Sequence, residues 1–202
     1  MDKPFILGIN GSPNKNGATR ELLGRVLEGA RTAGADTLII DLYDLDIKSA
    51  PGNYSSNPAK EVVAEMPQDD LTPLYADIKR ADGLVFATPT YWANMSGAMK
   101  NFIDRLTPLE NDGFQLEGKV ASFVAVSKEN EGGVEMAVMS MVTALAQMGV
   151  LIPPNGVMWH PGSWTTTQKN SESWAQADAP KVGRNMVKLI ELFRKNPIAW
   201  SA

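Results

Sequence analysis

Cysteine is absent from the 202 residues, which excludes disulfides, thiolate zinc sites, cysteine-ligated iron-sulfur clusters and a cysteine nucleophile. Histidine occurs once, at His160, so a histidine-rich metal site cannot form. No apolar run approaches the roughly 18 to 20 residues needed to cross a bilayer. The start, Met1-Asp2-Lys3-Pro4-Phe5, lacks the basic segment, apolar stretch and cleavage site of a secretory signal. Nor are the 19 basic residues massed into runs, and with a formal charge of -4 they leave no footprint for nucleic acid. These absences point to a soluble cytoplasmic protein without a membrane or nucleic-acid partner, in which any redox chemistry comes from a bound cofactor.

With 44% hydrophobic residues the chain can bury a full core, and its length suits one domain spanning residues 1–202. Apolar runs of strand length recur at Phe5 to Ile9, Thr37 to Leu42, Gly83 to Ala87, Val120 to Val126 and Val150 to Trp159. Between them lie apolar residues at helical spacing: Leu22 to Ala30, Leu74 to Ile78, Met99 to Leu106 and Val138 to Met148, with Val182 to Phe193 closing the chain. Strand and helix alternate, the signature of a parallel sheet covered on both faces. Gly34 and Gly149 sit where the first and fourth helices should end. Two stretches, Ile47 to Asp69 and Pro161 to Lys181, break the alternation and read as functional loops or interface segments.

Two loops carry the chemistry. Gly8-Ile9-Asn10-Gly11-Ser12-Pro13-Asn14-Lys15-Asn16-Gly17-Ala18-Thr19 leads from the first strand into a helix. Small and polar residues there can turn N–H groups and the Ser12 and Thr19 hydroxyls onto an anion at the positive end of the helix dipole. The loop is neither a Walker A sequence nor Gly-x-Gly-x-x-Gly, so it points to a mononucleotide phosphate; alone, it reads equally as a turn joining strand to helix. After the third strand, Pro89-Thr90-Tyr91-Trp92-Ala93-Asn94-Met95 sets two aromatics beside a proline. They suit one wall of a flat ring, although taken alone they read rather as a hydrophobic loop packed on the helices. In the strand order 2-1-3-4-5 both loops flank the switch point, where ligands bind in open parallel sheets. A third loop, Ser127 to Gly133, shares that rim.

Other residues need no special chemistry. Asp41, Asp44 and Asp46 read as solvated carboxylates rather than a cation site, Asp69 and Asp70 as caps of the second helix, and His160 as structural. Asp104 and Arg105 read either as an ion pair or as a solvated helix end.

Three passages resemble the NADPH-dependent FMN reductase family of flavodoxin-like proteins, in the branch shared with iron-sulfur flavoproteins. They are Asn10-Gly11-Ser12-Pro13 with Asn16-Gly17-Ala18-Thr19, the stretch Asp69-Asp70 through Gly83, and Pro89-Thr90-Tyr91-Trp92 through Arg105. The resemblance implies a flavodoxin-like three-layer α/β sandwich around a five-stranded parallel sheet. It implies that Ser12, Asn16, Gly17, Ala18 and Thr19 hold the FMN phosphate, that Pro89, Thr90, Tyr91, Trp92, Asn94 and Met95 line the isoalloxazine ring, and that Ser127, Gly132 and Gly133 complete the rim. It further implies an oxidoreductase that takes hydride from NADPH or NADH and passes electrons to a small acceptor, a quinone, a nitro or azo compound, or a flavin. An electron-transfer flavoprotein or an FMN-binding regulatory module without turnover is the alternative. A homodimer or homotetramer is also implied, with Trp159 to Trp174 the expected interface. The branch carries a cysteine cluster after the second strand, whereas Ile47 to Asn57 here has none, so the electron path is flavin only.

Overall fold

The computed structural model describes residues 2–51, 66–128, 133–160 and 174–200. Its strands are β1 (Phe5–Asn10), β2 (Asp36–Asp41), β3 (Gly83–Pro89), β4 (Val120–Val126) and β5 (Val157–His160). They form one parallel sheet in the order β2-β1-β3-β4-β5. This is the doubly wound arrangement expected from the alternation, with its switch point between β1 and β3.

The helices are α1 (Ala18–Thr32), α2 (Tyr75–Arg80), α3 (Gly97–Asp104), α4 (Thr107–Asn111), α5 (Val134–Gln147) and α6 (Trp174–Lys195). One apolar cluster lies on each sheet face. Leu7, Ile9, Phe86 and Phe123 point toward α2, α3 and α5, and Ile6, Val85 and Val124 toward α1 and α6. Phe86 anchors the first cluster, stacked on Phe123 with ring centroids 5.6 Å apart. Such two-sided burial is why β3 and β4 are continuous apolar runs rather than alternating ones.

Gly34 and Gly149 end α1 and α5 as expected, both left-handed at φ +98° and +75°. The N–H groups of Ala35 and Val150 reach back to the Ala30 and Leu145 carbonyls and close both helices in the same way.

Beyond shifts of one or two residues at the ends of β1, β2 and β3, three boundaries differ from the sequence reading. The last apolar run yields a strand only over Val157–His160, because Pro153 and Pro154 cannot donate to a ladder and Leu151 makes only an isolated bridge to Val120. Leu106 lies in a break between α3 and an unforeseen α4, which Pro108 helps to start. The closing helix begins at Trp174 and runs through Pro180, so 174–181 is helical rather than loop, while 161–173 lies outside the described residues.

Candidate functional site

The carboxyl ends of β1, β3 and β4 meet through hydrogen bonds between their loops. Gly11 N–H donates to the Ala87 carbonyl at 2.8 Å, drawing the loop after β1 against β3. Ser96 fastens it from the other side: its hydroxyl donates to the Gly11 carbonyl at 2.7 Å, accepts Met99 N–H as the cap of α3, and its own N–H reaches the Thr88 hydroxyl. A Cβ on Gly11 would come within 3.0 Å of Met99 Cβ and 3.1 Å of Ser96 Oγ, so the glycine permits this approach. Ser96 was not assigned a role from sequence, although a serine before a helical run is a capping signal.

The β1–α1 loop folds on itself. Asn14 N–H donates to Ser12 Oγ, Asn16 N–H to Asn14 Oδ1, and Gly17 N–H to the Asn14 carbonyl at 3.1 Å. Ser12 and Thr19 are buried, Gly17 and Ala18 half-buried, and Asn16 exposed. Helix α1 opens after Gly17 with no side-chain cap, and its ladder begins only at Glu21 N–H on Gly17 O. The N–H groups of Ala18, Thr19 and Arg20 therefore stand at the helix mouth. Both cations of this segment are paired with carboxylates at or just past the end of β2, Lys15 with Asp44 and Arg20 with Asp41. Asp41 is thus a largely buried partner of this loop rather than a solvated carboxylate, whereas Asp44 pairs with Lys15 and stays exposed, as Asp46 does. Burial would raise the Asp41 carboxyl, but hydrogen bonds from Asn10 and Arg20 outweigh it and hold its pKa below the ordinary value.

The loop after β3 is anchored at Thr90, whose N–H donates to the Val126 carbonyl at 2.8 Å. Its hydroxyl is buried without a hydrogen-bond partner. Pro89 ends β3 half-buried beside it. Tyr91 and Asn94 exchange both backbone hydrogen bonds, at 2.9 and 3.0 Å, around Trp92 and Ala93 at φ +51° and +56°. Positive φ at both central residues makes this a type I′ turn, and non-glycine residues in it store roughly 1 to 2 kcal/mol each. Such strain persists where the surroundings enforce it. Here Asn94 Oδ1 accepts Met95 N–H and the Ser140 hydroxyl of α5, while Ala93 rests against Gly133.

At the turn's tip Tyr91 is half-exposed and Trp92 fully exposed. Partial burial first, and the neighbouring Tyr43 second, push the Tyr91 phenol up, so near neutrality it is a donor. Met95 sends its side chain into the core, and Ser127 is buried just past β4. Gly132 lies outside the described residues, as do Trp164 and the side chains of Trp159, His160 and Trp174.

Gly133 has φ +65°, and a Cβ there would lie 2.4 Å from Ala93 Cβ. Gly133→Ala is expected to lower stability by about 1 to 3 kcal/mol through left-handed strain and the clash. Thermal unfolding checks it, and an unchanged midpoint would show that the contact relaxes freely.

A family model described as NADPH-dependent FMN reductase matches residues 4–165. The chain belongs to that family. It is accordingly a flavodoxin-like oxidoreductase of the FMN reductase group. An iron-sulfur flavoprotein of Archaeoglobus fulgidus is 30% identical over 198 residues, covering 92% of this chain and 95% of the relative. An NAD(P)H dehydrogenase (quinone) of Acidithiobacillus ferrooxidans is 30% identical over 131 residues, 65% of each chain. In fold, the chain matches the crystal structure of RosB with bound 8-demethyl-8-formylriboflavin-5'-phosphate at a TM-score of 0.80, with 19% identity, covering 96% of this chain and 82% of that one. Unlike the relative named for its iron-sulfur content, this FMN reductase family member has no cysteine to ligate a cluster.

Proposed function

We propose that the chain binds FMN noncovalently at this rim and acts as an NAD(P)H oxidoreductase toward a small acceptor: a quinone, a nitro or azo compound, or a free flavin. The observation that carries the proposal is the uncapped start of α1 behind a loop of neutral donors. The FMN phosphate would lie against the N–H groups of Ala18, Thr19 and Arg20 and the hydroxyls of Ser12 and Thr19, with Asn16 and Gly17 shaping the loop.

Thr90's unpartnered hydroxyl supports the ring end of the site, because a buried polar atom without a partner calls for one. Pro89, Tyr91, Trp92 and Asn94 would border the ring, with backbone groups of Met95, Ser127, Gly132 and Gly133 completing the edge. Bound FMN supplies the two-electron chemistry, accepting hydride from NADPH or NADH and releasing electrons to the acceptor. The side chains then need only bind, orient and exclude water, and no acid or base is assigned. Assembly as a homodimer or homotetramer belongs to the same proposal, supported by the exposed apolar side chains of Trp92, Met136 and Met139. Among the described residues no helix is long and apolar enough to cross a membrane.

Two measurements test the reading. Purified protein supplied with FMN and freed of excess should be yellow, and anaerobic mixing with NADPH or NADH should bleach it. A colourless protein would end the proposal, whereas a yellow protein that neither nucleotide bleaches would be an electron-transfer flavoprotein.

A further inference from the structure

Asn10, the last residue of β1, is completely buried and pairs in register with Asp41, the last residue of β2. Its Oδ1 accepts the N–H of Ser12 at 3.2 Å and its Nδ2 donates to Asp41 Oδ1 at 2.8 Å. An ionised carboxylate only accepts and a backbone N–H only donates, so this arrangement fixes which way the amide faces. Asp41 in turn takes Arg20 Nε at 2.9 Å, and Arg20 lies in the first turn of α1. The side chains Asn10, Asp41 and Arg20 thus join the first residue after Gly11 to the helix start and close the loop at its base.

We infer that Asn10 is a positioning residue that sets the FMN affinity of the phosphate loop by bridging Ser12 N–H to the Asp41 carboxylate, which rests on the reading that this loop holds the FMN phosphate. In this role Asn10 acts through Ser12 and Asp41. A loop already held in its bound shape loses less conformational freedom on binding, and that saving appears as affinity. A purely structural asparagine would change the stability of the protein and leave the affinity of its folded form alone.

Exchanging the two side chains tests this. Asn10→Asp keeps the acceptor for Ser12 N–H and nearly the same shape, but sets two carboxylates face to face. Adding Asp41→Asn restores one donor and one acceptor between positions 10 and 41 in the opposite sense, at the cost of the carboxylate that pairs Arg20, so the double variant regains the bridge to Ser12 but not the ion pair. Full-length protein stripped of flavin is titrated with FMN, with quenching of flavin fluorescence as the readout and thermal unfolding measured alongside. Asn10→Asp should weaken FMN binding by about tenfold or more, the scale of one lost buried charge-assisted hydrogen bond, and the double variant should recover part of that loss.

Wild-type affinity in Asn10→Asp, or a double variant that binds no better than Asn10→Asp, would overturn the inference. Should Asn10→Asp not fold, the double variant decides: folding together with FMN binding supports the bridge, and failure of either overturns it. A wild-type protein that binds no FMN would instead sink the reading of the loop, an outcome distinct from a wild type that binds and variants that bind equally well.

Discussion

Replacing Arg105 with Met is expected to destabilise the protein by about 3 to 5 kcal/mol, the usual cost of stranding one member of a buried ion pair. The Arg105 side chain is 0% exposed and that of Asp69 2%. The guanidinium meets the carboxylate through two hydrogen bonds, Nη1 to Oδ2 at 2.6 Å and Nη2 to Oδ1 at 3.1 Å. The same nitrogens donate to the carbonyls of Lys48 and Pro67, so Arg105 also fastens together the two ends of the long segment between β2 and α2. Met would fill part of the space but leave Asp69 charged and dry. Lys100→Ala, which removes an exposed pair with Asp104 one helical turn away, should change stability by no more than about 0.5 kcal/mol. Urea unfolding of the two variants gives the comparison, and similar losses would mean that desolvation cancels the buried pair.

The same pair sets an acid limit. Burial alone would raise the Asp69 carboxyl, but hydrogen bonds from Arg105 and from the N–H groups of Lys48 and Leu71 outweigh it and hold its pKa below the ordinary 3.8. A carboxyl whose native pKa is depressed stabilises the fold fully above its unfolded value and progressively less as pH falls through the native one. The Arg105→Met protein should therefore lose less stability than wild type as pH falls below about 4.

How much of this was readable beforehand depended on how local each cause is. β4 was legible to the residue because a strand buried on both faces is an apolar run whatever surrounds it. The loops at the switch point were legible because the strand order alone places them. Arg105 was not: its neighbour Asp104 suggested a local pair, but Asp104 bonds Lys100, while the partner of Arg105 stands 36 residues away. Nor do Asp69 and Asp70 cap α2, whose start has no side-chain cap: Asp69 accepts Leu71 N–H ahead of it and holds Arg105, and Asp70 accepts Asp46 N–H. Asn10 stayed hidden for a related reason, since its bond to Asp41 exists only once β1 and β2 pair in the observed register. The α6 start at Trp174 was missed because Pro180 argues against a helix there that packing against α1 supports.

That packing yields the other large expected effect. Helices α1 and α6 cross backbone to backbone: a Cβ on Gly183 would lie 1.9 Å from the Val26 carbonyl oxygen, and one on Gly29 would lie 1.9 Å from that of Pro180. Neither oxygen can swing aside as a side chain could, so the added methyl must push the helices apart and open the cluster of Leu27, Ala30, Val182 and Met186 between them. Gly183→Ala should cost about 3 kcal/mol or more, at the upper end for overpacking, although the same exchange ordinarily favours a helix. Gly24, also on α1, meets nothing within 4 Å, and Gly24→Ala should stabilise by about 0.5 to 1 kcal/mol. Two identical exchanges in helices thus carry opposite expected signs, and denaturant unfolding reads both. If Gly183→Ala proved neutral, the close crossing of α1 and α6 would have to be given up, along with its account of why a helix carrying Pro180 forms there.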